Sequence, residues 1–479
     1  MLSRIYSGAT YGLEGILIEV EVDVASQGLP ALNIVGLPDK AVEEAKERVR
    51  SALKNSGADL PARRITINLA PADLPKEGPA FDLPMAVGIL YASEQIPKLD
   101  LKKSFFLGEL SLDGSLRHTN GVLSVVMLAK EKGFKEVYLP AVNCEEASVI
   151  KGLTIYPVRD LMQLFKHLWG KEKIEPAENI PFSKLFQVAT SEFDFAEVQG
   201  QEHVKRALEI AAAGSHNIFM KGTPGSGKTM LARAYPGILP SLTEEEALAV
   251  TKIYSITGNL PSGQSVIRSR PFRSPHHTTS RIGLIGGGSR PLPGEISLAH
   301  RGVLFLDEFP EFPRHVLEAL RQPMEDGVVT ISRAKGTVEY PANFSLVAAS
   351  NPCPCGYYGS DFNKCKCLPG QISRYQKRIS GPILDRIDIH VDVPQVKVEK
   401  LIENKTPAES SESIQRRVEA ARAIQIKRFK GSKIVSNAEM STKQVKEFCV
   451  LSKDCEILLR QAVSMMNLSA RSYYRVIKV

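Results

Sequence analysis

The chain has 479 residues, enough for two to four domains that each bury a core of their own. Hydrophobic residues make up 43% of the chain and charged residues 24%, which is typical of globular proteins and excludes a fibrous or low-complexity chain. No apolar run approaches the ~18 residues of a membrane-spanning helix, and the N-terminus lacks the apolar core of a signal peptide. We therefore expect a cytoplasmic protein with no membrane partner.

The net charge of +8 is unevenly distributed. Residues 401–479 carry 15 Lys and Arg against 8 Asp and Glu, and residues 251–300 carry 6 against 1. Such local excess predicts a polyanionic partner. The alternative is an ordinary solvated basic face.

Residues 1–170 predict an N-terminal α+β domain. Residues 16–24 alternate apolar and acidic side chains, which indicates a half-buried strand, and residues 40–55 have the spacing of an amphipathic helix. Residues 64–69 and 137–139 predict further strands. A polar segment with two prolines, 171–181, predicts an interdomain linker over 171–190.

Parts of this N-terminal domain resemble the proteolytic domain of Lon-type proteases. The resemblance lies in residues 76–80, 108–117 and 121–133. That family uses a Ser–Lys dyad, in which the lysine assists removal of the serine proton. Ala80 and Leu123 stand at the matching positions, and neither side chain can act as nucleophile or base. We therefore expect a catalytically dead scaffold without peptidase activity.

Residues 191–400 predict an α/β domain with a parallel sheet that binds a nucleotide. An apolar strand ending at Met220 runs into a segment that fits the phosphate-binding pattern G-x-x-x-x-G-K-[ST]. In such a loop successive backbone N–H groups point at the phosphates, the lysine reaches the β- and γ-phosphates, and the final hydroxyl can bind Mg²⁺. The predicted nucleotide-binding residues are Gly222, Thr223, Pro224, Gly225, Ser226, Gly227, Lys228 and Thr229.

Two later strands supply further candidates for ATP hydrolysis. Residues 303–306 form an apolar strand that ends in Asp307 and Glu308, where Asp307 suits the metal ion and Glu308 a hydrolytic water. The strand near 344–349 is followed by Asn351, which could hold the attacking water or merely cap the turn before Pro352. The neighbouring nucleotide motifs favour the first interpretation.

Two arginines are candidates for contacts with the nucleotide. Arg386 lies between Asp385 and Asp388, so it is either an arginine donated across a subunit boundary or a partner in a local salt bridge. Arg471 opens a helix near the C-terminus and could reach the nucleotide of its own subunit.

These residues together resemble the AAA+ ATPases of the magnesium-chelatase-like group, and nearly the whole chain is similar to the YifB/ComM branch. The most specific stretches are residues 270–278, 293–300 and 351–356. The resemblance implies Walker A and Walker B motifs, with Asn351 as sensor 1, Arg386 as arginine finger and Arg471 as sensor 2. It also implies ATP and Mg²⁺ as cofactors, and a hexameric ring with ATP between subunits. ComM-type members are DNA helicases that drive branch migration during integration of transforming DNA.

A basic loop in the pore of such a ring would grip a DNA backbone. The basic segment 251–300, with three glycines at 286–288, fits this requirement, and an ordinary surface loop is the alternative. The candidate DNA contacts are Arg270, Arg273, His276, His277 and Arg281. A second hypothesis is an ATPase subunit of a metal-chelatase-type machine that acts on a protein partner. A third is an assembly factor that binds DNA without translocating along it.

Four cysteines form a C-x-C pair at 353–355 and another at 365–367. Four thiolates suit tetrahedral zinc, so Cys353, Cys355, Cys365 and Cys367 predict a structural metal site next to the ATP centre. Unligated reduced thiols and a redox sensor are the alternatives.

Residues 401–479 have helical spacing and predict a C-terminal helical lid. The relatives that the chain resembles continue beyond residue 479, so we expect a truncated lid. A frayed last helix would hold Arg471 poorly and weaken the response to nucleotide.

Overall fold

The computed structural model describes residues 1–479 except 28, 75, 182–192, 262–263, 289–290, 334–335, 361–362, 396–407, 433 and 467. The chain divides into two compact units. The first comprises Met1–Gln187 and Ala247–Ile267, and the second comprises Val188–Glu246 and Arg268–Val479. No helix in the described part of the chain is both long enough and apolar enough to cross a bilayer.

The first unit is built on a seven-stranded sheet with the order β3-β4-β2-β1-β5-β8-β9. The strands of the first unit are β1 (Leu2–Tyr11), β2 (Glu14–Val24), β3 (Ala31–Val35), β4 (Arg64–Ala70), β5 (Ser104–Phe106), β6 (Glu109–Leu110), β7 (Leu116–Arg117), β8 (Glu136–Pro140) and β9 (Thr154–Val158). Of these, β6 and β7 pair with each other in a separate two-stranded sheet. The helices of the first unit are α1 (Lys40–Asn55), α2 (Asp82–Ala92), α3 (Val122–Glu131), α4 (Cys144–Ala147) and α5 (Leu161–Leu168).

Local chemistry explains how this sheet acquires its core. β1 and β2 pair as an antiparallel hairpin in the register Leu2↔Asp23 to Tyr11↔Glu14, and β2 buries alternate residues. The predicted helix over 40–55 is α1. It begins where the side chain of Asp39 accepts a hydrogen bond from the backbone N–H of Val42 at 2.8 Å. The predicted strands over 16–24, 64–69 and 137–139 lie within β2, β4 and β8.

The first unit also contains Ala80 and Leu123, the two residues that the resemblance to Lon-type proteases matches to the dyad. Ala80 lies in a short 3₁₀-helix, Pro79–Phe81, and Leu123 is fully buried in α3. The nearby carboxylate of Asp82 is buried and forms an ion pair with Arg48, with Nε and Oδ2 2.7 Å apart. The expected absence of peptidase activity stays a prediction.

Residues 247–267 join the first unit, although the sequence had suggested a continuous core over 191–400. Helix α8 (Glu244–Thr257) buries apolar residues from Ala247 onward. Within the first unit, the hydroxyl of Ser255 bonds the buried carboxylate of Glu146, and the N–H of Gly121 donates to the carbonyl of Ser255 at 3.1 Å. These contacts explain why residues 247–267 belong to the first unit. Of the predicted linker, residues 171–181 contain no helix or strand, and 182–190 lie outside the described residues.

The second unit contains a five-stranded parallel sheet with the order β11-β14-β17-β10-β18. The strands of the second unit are β10 (Ile218–Gly222), β11 (Phe272–Arg273), β12 (Gly286–Gly287), β13 (Leu292–Pro293), β14 (Val303–Leu306), β15 (Val328–Arg333), β16 (Gly336–Pro341), β17 (Ser345–Ser350) and β18 (Ile389–Val393). Two pairs, β12 with β13 and β15 with β16, form separate two-stranded sheets. The strands predicted near 217–220, 303–306 and 344–349 are confirmed as β10, β14 and β17.

Helices surround this sheet and continue to the end of the chain. They are α6 (Glu202–Gly214), α7 (Lys228–Ala234), α9 (Arg281–Ile285), α10 (Glu295–Leu298), α11 (Arg314–Glu318), α12 (Arg321–Asp326), α13 (Pro369–Gln376), α14 (Gly381–Leu384), α15 (Ser411–Arg428), α16 (Thr442–Phe448), α17 (Lys453–Met466) and α18 (Ala470–Lys478). Further 3₁₀-helices are Leu101–Lys103, Ala141–Asn143, Phe195–Glu197, Tyr235–Ile238, Phe309–Glu311 and Asn437–Glu439. The C-terminal segment is thus helical, and its role as a lid stays a prediction.

Parallel pairing has a direct consequence for function. The carboxyl ends of β10, β14 and β17 lie at one edge of the sheet, so the segments that follow these strands meet there. β14 and β17 are buried along their whole length, as expected for the central strands of a sheet covered on both faces.

Candidate functional site

The glycine-rich segment joins the carboxyl end of β10 to the first turn of α7. Gly225 and Gly227 have φ values of +73° and +89°, a left-handed conformation that side chains disfavour. Gly227 also caps α7, so Lys228 is the first helical residue. This arrangement points backbone N–H groups at one place, as a phosphate requires.

The ammonium group of Lys228 lies inside this loop. Its Nζ atom is 2.9 Å from the carbonyl oxygen of Gly222 and 2.8 Å from that of Thr223. It is also 3.4 Å from the hydroxyl of Ser226 and 3.4 Å from Oδ1 of Asn351. Burial lowers the pKa of Lys228. The loop therefore holds a cation beside Asn351, at the end of the adjacent strand β17.

The two predicted magnesium ligands meet at the same edge. The hydroxyl of Thr229 donates a hydrogen bond to Oδ2 of Asp307 at 2.9 Å, although the residues lie on different strand–loop segments. A hydroxyl and a carboxylate oxygen are ligands that Mg²⁺ accepts, so this pair fits the ion. Glu308 follows directly, with a φ of +50° that is uncommon for a residue other than glycine.

His277 contacts Glu308. Its Nδ1 atom lies 3.1 Å from Oε2 of the carboxylate, and its ring packs against Phe312 with centroids 6.4 Å apart. The sequence had suggested His277 as a DNA contact. The structure places it at the carboxyl edge of the sheet because β11, which precedes it, pairs with β14.

Two other predicted DNA residues are engaged inside the protein. The guanidinium of Arg270 bonds the carbonyls of Pro240 and Arg301 and pairs with Glu246 at 3.1 Å, leaving 13% of its side chain exposed. Arg273 forms two bonds to the carboxylate of Glu295, at 2.6 and 2.7 Å. The donors of Arg270 are thus used to stabilise the fold, and its contact with DNA stays a prediction. Arg273 is committed to a bidentate ion pair.

The remaining predicted DNA contacts are exposed. His276 stacks against His277 with ring centroids 4.1 Å apart, and Arg281 is the first residue of α9. Sequence inspection missed Arg333, which is exposed at the end of β15 and lines a cavity together with Arg281. Apolar and polar residues alternate on both sides of 334–335, and this pattern is a sequence signal for the paired strands β15 and β16.

Arg386 and Arg471 converge on one carboxylate. An Nη2 atom of Arg386 lies 2.6 Å from Oε1 of Glu325, and an Nη2 atom of Arg471 lies 2.8 Å from the same oxygen. The side chain of Arg386 is 9% exposed. The expected local pairing of Arg386 with Asp385 or Asp388 does not occur, since Glu325 takes its place. Nothing in the sequence around Glu325 indicated this role.

These arginines lie at the amino edge of the sheet. Glu325 and Arg471 line a cavity of 840 Å³ together with Asn217 and Asp388, the residues that immediately precede β10 and β18. The five residues of β10 span about 16 Å between this edge and the phosphate loop. That Arg471 reaches the nucleotide of its own subunit stays a prediction, and it would require α18 to move from this edge of the sheet.

The four clustered cysteines come together. Their sulfur atoms all lie within 4.8 Å of one another, and the Sγ separations among Cys353, Cys355 and Cys365 are 3.4, 3.7 and 3.6 Å. Tetrahedral zinc with Zn–S bonds of about 2.3 Å needs sulfur atoms about 3.8 Å apart. Backbone amides of residues 357 and 366 donate to Cys355 and lower the pKa of that thiol to about 6. Cys367 completes the group, which thus fits a zinc ion.

The cysteine segment touches the phosphate loop. Gly356 has a φ of +86°, and a Cβ atom added there would lie 2.5 Å from Cγ of Pro224. The cluster therefore lies against the loop that begins the nucleotide site. The sequence predicts the cysteine site next to the ATP centre, and the structure adds the specific contact with Pro224.

Comparisons with known proteins identify the family of this chain. Family models described as "Magnesium chelatase, subunit ChlI", "Subunit ChlI of Mg-chelatase" and "Magnesium chelatase, subunit ChlI C-terminal" match residues 194–401, 20–143 and 408–479. The chain is 44% identical to competence protein ComM of Haemophilus influenzae over 479 residues, which is all of this chain and 92% of the relative.

Two further relatives differ in how much of the chain they match. The protein YifB of Escherichia coli is also 44% identical over 479 residues, with the same coverage of 100% and 92%. The magnesium-chelatase 38 kDa subunit of Rhodobacter capsulatus is 26% identical over 178 residues, which is 33% of this chain and 50% of that subunit. Because it is 44% identical to ComM and YifB over its whole length and matches three magnesium-chelatase family models, the chain belongs to the YifB/ComM branch of the magnesium-chelatase-like AAA+ ATPases.

Proposed function

We propose that this protein is an ATP-hydrolysing motor that acts on DNA as a homo-oligomeric, hexameric ring, similar to a ComM-type branch-migration helicase. The observation that carries the ATPase is the meeting of Lys228, Asn351 and the Thr229–Asp307 pair at one edge of the sheet. Three strands distant in sequence deliver these groups to one place. No structural role requires that combination.

Each group has a defined part in phosphoryl transfer. Lys228 binds the β- and γ-phosphates, and the Thr229–Asp307 pair would hold Mg²⁺, which when bound would supply positive charge beside the phosphate oxygens. Glu308 accepts the proton of the attacking water, and Asn351 orients that water. Arg386 lies far from the phosphate loop of its own chain, which supports a ring in which it approaches the nucleotide of a neighbouring subunit.

The DNA assignment rests on the relatives and on charge. One 44% identical relative is named a competence protein, and Arg281 and Arg333 together line an exposed basic recess in the ATPase unit. The alternative is an ATPase subunit that drives a metal-chelatase machine through a protein partner. It is favoured by the matching ChlI family models and by the Rhodobacter capsulatus subunit.

The test is ATP hydrolysis by the full chain with Mg²⁺, alone and with single-stranded or forked DNA, at several salt concentrations. A DNA motor is stimulated, and the stimulation weakens as salt rises. Lys228→Ala should weaken ATP binding about 10–100-fold, because it removes charge-assisted hydrogen bonds. Glu308→Gln should bind ATP but hydrolyse it about 100-fold more slowly or worse. ATP hydrolysis without any DNA stimulation or binding would favour the chelatase-type alternative.

A further inference from the structure

Three recesses on the ATPase unit share residues and so form one continuous path. The first, of 260 Å³, lies between α9 and the β15–β16 hairpin and is lined by Arg281 and Arg333. The second, of 620 Å³, is lined by Arg281, Arg314 and His315. The third, of 830 Å³, is lined by Arg314, Arg374 and Lys377. Arg281 joins the first to the second, and Arg314 joins the second to the third.

Five cationic side chains along this path are exposed and form no ion pair within the described part of the chain. Arg281, Arg314, Arg333, Arg374 and Lys377 are all exposed, and none of them forms an ion pair with another residue of the described chain. By contrast, Arg270 and Arg273 pair with buried or half-buried carboxylates. The five side chains therefore hold their charge toward solvent.

The acidic residues on the path are neutralised by arginines. Glu311 pairs with Arg378 at 2.5 Å, and Glu318 pairs with Arg321 at 2.6 Å. The path thus carries a strong positive excess over its length. A recessed row of cations is how proteins follow the backbone of a single nucleic acid strand without reading its sequence.

We propose that this path, from Arg333 through Arg281 and Arg314 to Arg374 and Lys377, binds the phosphate backbone of single-stranded DNA. The proposal rests on the proposed DNA motor and names the surface that contacts the strand. It extends the contact well beyond the basic segment 251–300 and includes residues on α11 and α13. Phe312 lines the third recess and packs against His277, so the strand path adjoins the residue that holds Glu308.

The experiment measures binding of fluorescent single-stranded DNA to the full chain with a non-hydrolysable ATP analogue, as a function of salt. The variant is Arg314→Gln, Arg374→Gln and Lys377→Gln combined. Losing three phosphate contacts should lower the slope of log affinity against log salt by about 2, and weaken binding about 100-fold near 0.1 M salt. The matched control is Lys102→Gln, Lys103→Gln and Lys132→Gln, three exposed lysines of the first unit with the same change in charge.

The outcomes separate the two proposals. A melting temperature within about 3 °C of the unmodified protein shows that a variant is folded. If the unmodified chain binds no DNA, the proposed function fails. If the unmodified chain binds DNA and the path variant binds with equal affinity and slope, the path is wrong. It is equally wrong if the control variant loses as much affinity as the path variant.

Discussion

The Nδ1 atom of His277 lies 3.1 Å from Oε2 of Glu308, the residue that we assign to the hydrolytic water. A carboxylate oxygen engaged by an imidazole is less available to accept a proton from water. His277 stands four residues before α9, whose first residue, Arg281, begins the proposed DNA path. A few residues of one loop therefore connect the proposed DNA path to the proposed catalytic carboxylate.

His277→Ala should raise the rate of ATP hydrolysis without DNA several-fold, because Glu308 loses its partner. The rate with DNA should change little, so the ratio of stimulated to unstimulated rate falls. Steady-state phosphate release measures both rates. His203→Ala is the control, since that ring is exposed and its hydrogen-bond partner is the carbonyl oxygen of Asp392. A lower rate in both conditions would mean that His277 instead holds Glu308 in its productive position.

Gly356→Ala should weaken ATP binding by about tenfold. The added Cβ atom would lie 2.5 Å from Pro224, and the left-handed backbone adds its own cost. Gly359→Ala separates the two effects, because Gly359 has a φ of +79° but nothing within 4 Å of an added Cβ. Titration with a fluorescent ATP analogue measures the affinities. Equal losses in both variants would show that the contact with Pro224 does not matter.

Cys355→Ser should remove bound zinc from the protein, because the site then offers three thiolates instead of four. Metal analysis of the purified chain should give one zinc per unmodified chain and much less in the variant. The affinity for ATP should fall at the same time, since the segment packs against Pro224. Cys455→Ser is the control, because Cys455 is exposed on α17, outside the cluster. A metal content near zero in the unmodified protein would contradict the zinc assignment.

Arg471→Ala should leave the ATP affinity of dilute, monomeric protein unchanged within about twofold. The guanidinium lies at the amino edge of the sheet and pairs there with Glu325. Lys228→Ala is the comparison that should lose affinity under the same conditions. A tenfold loss in the Arg471 variant would show that α18 can move to the phosphates of its own chain.

Arg48→Ala should destabilise the first unit in a pH-dependent manner. Burial raises the pKa of Asp82 to about 6, above its usual value near 4 in an unfolded chain. The stability that its protonated form contributes is full below about pH 4 and is lost as pH rises through 6. Without Arg48, the carboxylate at pH 8 is buried and unpaired, at a cost of about 3 kcal/mol.

At pH 5 the carboxyl is largely protonated, so the same substitution should cost much less. The first melting transition of the full chain, recorded at pH 5 and pH 8, gives both values. In the double variant Arg48→Ala with Asp82→Asn, the difference between the two pH values should disappear. Equal destabilisation by Arg48→Ala at both pH values would contradict the assignment.

The sequence predicted the features that depend on local pattern. The strands of the ATPase sheet and the loop from Gly222 to Thr229 are recognisable because apolar runs and glycines recur at fixed positions. The cysteine cluster is predictable for the same reason. The parallel order of the strands then brings Asn351 to Lys228 and Asp307 to Thr229.

The sequence could not predict the partners of charged side chains where those partners are distant in sequence. Composition cannot distinguish Arg270, which is enclosed by carbonyls and Glu246, from Arg281, which is exposed. Nor could it show that Arg386 and Arg471, 85 positions apart by their numbers, pair with the same oxygen of Glu325. A flexible cation pairs with whatever carboxylate the fold brings near, and only tertiary structure determines that choice.

The contact of Gly356 with Pro224 has a practical consequence at the bench. During purification, a chelator would remove a metal ion from the four cysteines, and a thiol-reactive reagent would modify their sulfur atoms. Either treatment would change the measured affinity for nucleotide. Two preparations of this ATPase with identical sequence could therefore differ in apparent activity. Metal content belongs beside every rate constant measured for it.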